Sequence, residues 1–513
     1  MKVTNQTTTS VTLANQANTL LMAPASVGTP ERTFLLAIDT SASDLWILTD
    51  IWGEDPSDPL IRNATYGPNA TRTPAELPEA PSSSFRSTNR SFASTAVTGA
   101  AVYYGYQGTD VVTFAGRTLD KAYMDINSHS SNGQPAFPAV GVMGLGWAAL
   151  ANGMVSPFWQ ATGAGIFSLH LMTSPSLFNV YANGGTLYLG PPPAPAPEPS
   201  SNASSPYTGS ITYHPLAPNH TSTWSLTLTS LLVSNSSIPF SSSSSSSTSL
   251  KGAEALIDSA TNTIAVPDAV ASAFYSRVRG AEPVPLSPGF WWYPCNHTDA
   301  IPQPIVGQED QALNVTLSFA LANSTSKAYV IPDGLFGIPT TMPASGNIAG
   351  FDGSGSSTNF ELDGLVKCIG TLYGYGNLTK GAVSNSTTLN AADSDAADLF
   401  IVGLPFLRSV FSVFDGTTSE IGFAQLSDDP LSPTALAEGK KDVSWRAAYQ
   451  AGEPDRNADG TPDDDPEGSR SGSGPGMGSS AASGAGRMVR RGGVVQGLGL
   501  GGLIGFGLWM VLL

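Results

Sequence analysis

Histidine, cysteine and charged side chains are all scarce in this chain, and each shortage removes a class of chemistry. The chain has five histidines in 513 residues, none beside a nucleophile in a recognisable motif, which argues against a Ser/His/Asp hydrolase. The two cysteines, Cys295 and Cys368, stand in no Cys/His pattern of zinc-ligand spacing. Neither a metal nor any other cofactor is therefore expected. Charged residues make up 12 %, and 23 Lys and Arg face 40 Asp and Glu for a formal charge of −17. That balance argues against nucleic acid or an anionic membrane surface as partner and fits a protein working in acid. Residues 1–17 lack the apolar core of a secretory leader. Long apolar runs are missing everywhere except at the very end. Elsewhere short apolar segments alternate with Ser, Thr, Gly and Pro, which is the texture of an all-β protein large enough for two lobes with cores of their own.

Against this background one pattern occurs twice. Phe34-Leu-Leu-Ala-Ile-Asp39-Thr40-Ser41-Ala42-Ser43 is an apolar run that stops at a carboxylate, and Ala255-Leu256-Ile257-Asp258-Ser259-Ala260-Thr261 repeats it. A carboxylate at the end of a buried strand costs free energy unless hydrogen bonds or a second charge make it useful. One such Asp ordinarily marks a strand entering a turn. Here, however, each copy is followed by an apolar-apolar-Gly element, Val142-Met143-Gly144 after the first and Ile401-Val402-Gly403 after the second. The order predicts an internal duplication in which each half supplies one Asp loop and one apolar strand to cross it.

With these motifs, and with the Val27-Gly28-Thr29-Pro30 turn and the closing stretch Leu399 to Gln425, the chain resembles the pepsin-like aspartic proteases, in particular the GPI-anchored, fungal yapsin-like type. The resemblance runs from about Leu13 to Gln425. It implies an all-β, bilobal fold of two similar β-barrel-like lobes with an active-site cleft between them. It further implies that Asp39 and Asp258 form a catalytic pair holding the attacking water, that Thr40 and Ser259 brace the two loops across the lobe interface, and that Ser43 and Thr261 hydrogen-bond the outer carboxylate oxygens. Ser41 and Ala260 replace the glycines of the family motif, where a Cβ could crowd the loop or tilt the amide that should face the carboxylate. The family's flap tyrosine would fall near Val97 or Thr98, and the nearby Tyr103 and Tyr104 read instead as strand aromatics. The implied activity is that of an aspartic endopeptidase, monomeric, acting on peptide or protein substrates at acid pH. The alternatives are a catalytically impaired cell-surface glycoprotein of the same fold with a binding role, and a plain adhesin on a stalk.

The chain divides into an N-terminal lobe over residues 1–209, a C-terminal lobe over 210–426, a Ser/Gly/Pro/Asp-rich stalk over 427–486 expected to stay disordered, and a hydrophobic tail over 487–513. Small residues at 479–485, a spacer containing Arg487, Arg490 and Arg491, and an uncharged tail form the pattern of a GPI signal, with a single membrane-spanning helix as the rival. Attachment to the outer cell surface or wall through a lipid anchor follows. Twelve Asn-x-Ser/Thr sequons, Asn89, Asn235 and Asn314 among them, are as dense as in a secreted glycoprotein. In that setting Cys295 and Cys368 are expected to form one disulfide, with two buried thiols as the other possibility. A short helix is expected over residues 270–279.

Overall fold

In the computed structural model the described residues are 7–48, 82–95, 102–130, 139–175, 179–196, 205–218, 223–240, 252–284, 287, 289–298, 301–303, 313–339, 345–348, 358–361, 367–375 and 399–448. The first apolar run becomes the strand Arg32–Asp39, buried on both faces over most of its length, as a run of five consecutive apolar residues requires. The Val27-Gly28-Thr29-Pro30 turn joins it antiparallel to Leu20–Val27. After the Asp39 loop the chain returns as Leu45–Leu48. Gly141–Gly144 slots between the two, parallel to Arg32–Asp39 and antiparallel to Leu45–Leu48. Leu45–Leu48 lies in turn parallel to Arg117–Ser130.

The second half rebuilds the same unit. Leu399–Val402 lies parallel to Ala253–Ile257 and antiparallel to Ile264–Pro267, which runs parallel to Leu372–Tyr375. The duplication read from the sequence is thus a duplicated four-strand topology. In the first lobe a further pairing, Leu20–Val27 with Val102–Phe114, closes the sheet into a barrel. Arg86–Thr95 pairs antiparallel with Val102–Phe114 as a long hairpin. Its tip, including Val97 and Thr98, lies outside the described residues.

The lobes share strands. Phe411–Asp415 pairs with Ile166–Leu171 of the first lobe, and Glu420–Leu426 pairs with Tyr207–Pro215. The expected boundary at 209/210 therefore falls inside a continuous strand of a common sheet. Above that sheet one apolar cluster runs through both lobes, from Ile38, Met143 and Leu145 to Ile257, Val402 and Leu404. Trp224 joins the two sides: its indole N–H donates to the Leu145 carbonyl at 2.9 Å, and its own carbonyl accepts the Ile257 N–H at 2.9 Å. Trp147 and Phe414 pack on it with ring centroids 4.6 and 5.2 Å away. Large aromatic surface buried at a seam is a strong tie between the lobes.

Three expectations are refined. The helix after the second Asp motif spans Asp268–Tyr275 and buries Val270, Ala271, Phe274 and Tyr275. Cys295 and Cys368 are bonded, their Cα atoms 5.7 Å apart, which removes the free-thiol alternative. The stalk expected from residue 427 is instead folded as far as 448. There Ser432 caps the helix Pro433–Lys440 by accepting the Ala435 N–H, Val443 donates its N–H to the Tyr181 carbonyl, and Trp445 donates its indole N–H to Thr12 at 2.8 Å. This segment has too few apolar residues for a core of its own and borrows the first lobe's. The rest of the stalk and the tail over 487–513 lie outside the described residues. Among the described residues no helix is long and apolar enough to cross a membrane.

Candidate active site

The two Asp loops meet at the seam between the lobes, held by an exchange of hydroxyls. Thr40 donates its hydroxyl to the Ile257 carbonyl at 2.9 Å and accepts the Ser259 N–H at 3.0 Å. Ser259 reciprocates, donating its hydroxyl to the Ile38 carbonyl at 2.9 Å and accepting the Thr40 N–H at 3.1 Å. Each hydroxyl thus satisfies a donor and an acceptor of the other lobe, and the residues beside them, Asp39 and Asp258, are brought face to face.

The apolar-apolar-Gly elements explain themselves here. Each crosses directly under an Asp loop, with Leu145 N–H on the Asp39 carbonyl at 2.7 Å and Leu404 N–H on the Thr261 carbonyl at 2.8 Å. A Cβ on Gly144 would stand 2.5 Å from the Ser43 carbonyl carbon, and one on Gly403 would stand 2.0 Å from the Thr261 carbonyl oxygen. Only glycine allows such an approach.

Replacing the motif glycines with Ser41 and Ala260 does not tilt the amides. Ser41 N–H donates to Asp39 Oδ1 at 2.7 Å, and Ala260 N–H donates to Asp258 Oδ1 at 2.8 Å. Thr261 Oγ1 donates to Asp258 Oδ2 at 2.6 Å. Ser43 does not do the same for Asp39, which corrects the expectation. Its hydroxyl donates to the Trp147 carbonyl at 2.7 Å, and the hydroxyl that reaches Asp39 belongs to Ser41, 2.7 Å from Oδ1.

Electrostatically the pair is poised to hold a proton. Burial pushes Asp258 up to about 7, with the charge of Asp39 adding to the rise. Burial raises Asp39 as well, against the lowering effect of the Ser41 hydroxyl and the Ala42 and Ser41 amides. Two desolvated carboxyls that feel each other's charge cannot both ionise cheaply, so one stays neutral where the other is charged. The nearby Tyr373 phenol is held at about 12 by burial and by Asp258, and stays neutral.

A second carboxyl pair lies behind the first loop and was not anticipated. Asp44 accepts the Asn152 backbone and side-chain N–H groups at 2.9 and 2.6 Å, and burial raises it to about 6. Asp125, also buried, rises to about 8 through burial and the charge of Asp44. Trp224 was likewise missed as a link between the lobes, although a lone Trp opening an interlobe strand was its available signal. Among the described residues no group of three or more His, Cys, Asp or Glu could hold a metal ion.

A model of a protein family described as eukaryotic aspartyl protease matches residues 21–338. Major aspartyl peptidase 1 of Cryptococcus neoformans var. grubii is 24 % identical over 413 residues, which cover 78 % of this chain and 67 % of that protein. An aspartic protease of Phaffia rhodozyma is 24 % identical over 56 % of this chain and 52 % of its own length. Aspartic protease 17 of Caenorhabditis elegans is 29 % identical over 30 % of this chain and 37 % of its own length.

Proposed function

The chain belongs to the eukaryotic aspartyl protease family, and from that premise we propose that it is an aspartic endopeptidase, cleaving peptide bonds in acid with a water activated between Asp39 and Asp258. One observation carries the proposal: the four hydrogen bonds exchanged by Thr40 and Ser259 hold both Asp loops in register, and both carboxyls keep their amide donors despite the lost glycines. Peptide hydrolysis without a covalent intermediate needs a base to take a proton from water and an acid to protonate the departing amine. A pair that holds a single proton supplies both, and its working range lies on the acid side of neutrality. The long hairpin Arg86–Thr95 and Val102–Phe114 would cover an extended peptide lying in the cleft.

The impaired-enzyme reading draws on Ser41 and Ala260, and the intact amide bonds weigh against it. Composition at 479–513 supports the yapsin-like, surface-anchored form, in which phosphatidylinositol-specific phospholipase would release the protein from cells. The deciding assay is cleavage of a peptide library by the purified chain between pH 3 and 7, with and without pepstatin. Inhibitable cleavage with an acid maximum is expected. A folded protein that cleaves nothing at any pH would refute the proposal.

A further inference from the structure

The eight-stranded sheet of the second half ends on an open edge. Ser326–Ile331 is its outermost strand, paired antiparallel with Val315–Ala320, and among the described residues no strand pairs with its other side. Residues 326–328 are exposed, and Val330 is 53 % exposed. Outward N–H and C=O groups beside an exposed apolar side chain are a template for a strand of another molecule, and proteins ordinarily blunt such an edge with charge, proline or a bulge. This strand has one charge, Lys327, no proline and an unbroken register. It has instead an Asn-x-Thr sequon at each end. Asn323-Ser324-Thr325 makes the turn that leads into it, and Asn314 stands just before the Val315–Ile331 pair that closes its far end, followed by Val315 and Thr316. Both asparagines are exposed. The Asn323 carboxamide oxygen accepts the Thr325 N–H at 3.2 Å and the Thr325 hydroxyl, which leaves Nδ2, the atom to which a sugar is attached, unengaged among the described residues. Turn chemistry alone accounts for Asn and Ser at 323 and 324. It does not account for a second sequon at the opposite end of the same strand.

We propose that Asn323 and Asn314 carry N-linked oligosaccharides, and that these two glycans guard the open edge of Ser326–Ile331 against pairing with another molecule. Each attachment is a transfer from a lipid-linked oligosaccharide: the asparagine Nδ2 bonds to the anomeric carbon, the bond from that carbon to the pyrophosphate oxygen breaks, the amide gives up one proton and lipid pyrophosphate leaves. A six-residue strand is about 20 Å long, so a bulky hydrated chain tethered at either end obstructs the approach of a second strand along all of it. The obstruction works by volume and needs no charge, which suits a protein with only 12 % charged residues. The other large sheet repeats the arrangement. Its outermost strand, Arg86–Thr95, has the exposed sequon residue Asn89 at the bulge between Ser87 and Arg90, where the pairing with Val102–Phe114 is interrupted. None of this depends on the protease reading.

The test uses the full chain purified from its own cells. Release of the glycans with peptide:N-glycosidase in oxygen-18 water turns each occupied asparagine into a labelled aspartate, which peptide mapping locates. Label is expected at both 323 and 314, and an unlabelled residue at either position overturns the proposal. The guarding role is read by light scattering after an endoglycosidase has trimmed the folded protein, and in the double variant Thr325→Ala with Asn314→Gln. Thr325→Ala destroys the sequon and keeps the backbone N–H on Asn323, and trimming of the folded native protein serves if the double variant fails to fold. Either treatment should shift the protein from its native size to larger species, and Val330→Lys, which puts a second charge on the edge, should reverse the shift. An unchanged size after complete trimming, or association that Val330→Lys leaves in place, overturns the guarding role. Neither measurement reads peptide cleavage, so a protein that cleaves nothing refutes the protease reading and leaves these outcomes as they are.

Discussion

Thr40→Val keeps the branched shape of the side chain and removes only the hydroxyl. Two groups of the opposite lobe then lose their partner, the Ile257 carbonyl and the Ser259 N–H, which Thr40 had engaged at 2.9 and 3.0 Å. Thr40 is 1 % exposed and Ser259 fully buried, so water cannot step in. Each buried polar group left unpaired costs about 1–3 kcal/mol, and two cost about 2–6 kcal/mol, a large share of the ~5–15 kcal/mol by which a domain is stable. Ser259→Ala removes the mirror pair, orphaning the Ile38 carbonyl and the Thr40 N–H. Once either hydroxyl is gone the loops can relax apart, so the double variant should lose less than the sum of the singles by about 0.5–3 kcal/mol. Urea unfolding of the four proteins at one fixed acid pH measures this as shifts of midpoint at constant slope. The same loosening should cut kcat by about a hundredfold, the usual consequence of moving reacting groups by an ångström. A single variant that unfolds at the native midpoint, or strict additivity in the double, would refute the account of the seam.

Asp39→Asn and Asp258→Asn should each abolish turnover with the fold retained, and the double variant should be no worse than either, since the pair acts as one unit; measurable residual cleavage in a single variant would count against the dyad. The carboxyls of Asp44, Asp258 and Asp125 stand at about 6, 7 and 8 in the folded chain against the ordinary 3.8 of an aspartate. The folded state therefore binds more protons between these values, and the stability they contribute is full below about pH 4 and is lost as pH rises through 6 to 8. Thermal midpoints should fall accordingly, and Asp125→Asn should flatten the upper part of the fall. Reducing the Cys295–Cys368 bond, which joins residues 73 apart, should destabilise the chain by about 4 kcal/mol in urea unfolding. Thiols titratable in unreduced, unfolded protein would contradict the bond.

The parts of the fold that could be read from the sequence are those whose cause is local or repeated. The Asp loops and the strands beneath them announced themselves because the crossing admits no Cβ at Gly144 or Gly403, which stamps the same short pattern on both halves. The hydroxyl on Asp39 was misplaced for the opposite reason. Ser41 and Ser43 are chemically alike and two residues apart, and the choice between them is made by the Trp147 carbonyl, distant in sequence, which claims Ser43. The Asp44 and Asp125 pair left no local mark, since the two meet only because Leu45–Leu48 lies parallel to Arg117–Ser130. Residues 427–448 looked unfoldable by composition because the surface that Val443 and Trp445 need is supplied by the first lobe.

The placement of Phe411–Asp415 beside Ile166–Leu171 has a bearing on how the molecule is made. A ribosome finishes the first half long before it synthesises the strand that covers that half's open edge. Until then Ile166–Leu171 is paired along one edge, with Ala182–Leu189, and its other edge stands open next to Phe167, Leu169 and Leu171, side chains that end fully buried or nearly so. An uncovered edge of this kind is a template for any other strand in the vicinity, and its proper partner arrives only after some two hundred and forty residues of intervening chain. The nascent protein should therefore depend on a holding factor through most of its synthesis, and chains released before residue 426 should accumulate as aggregates rather than as half-molecules.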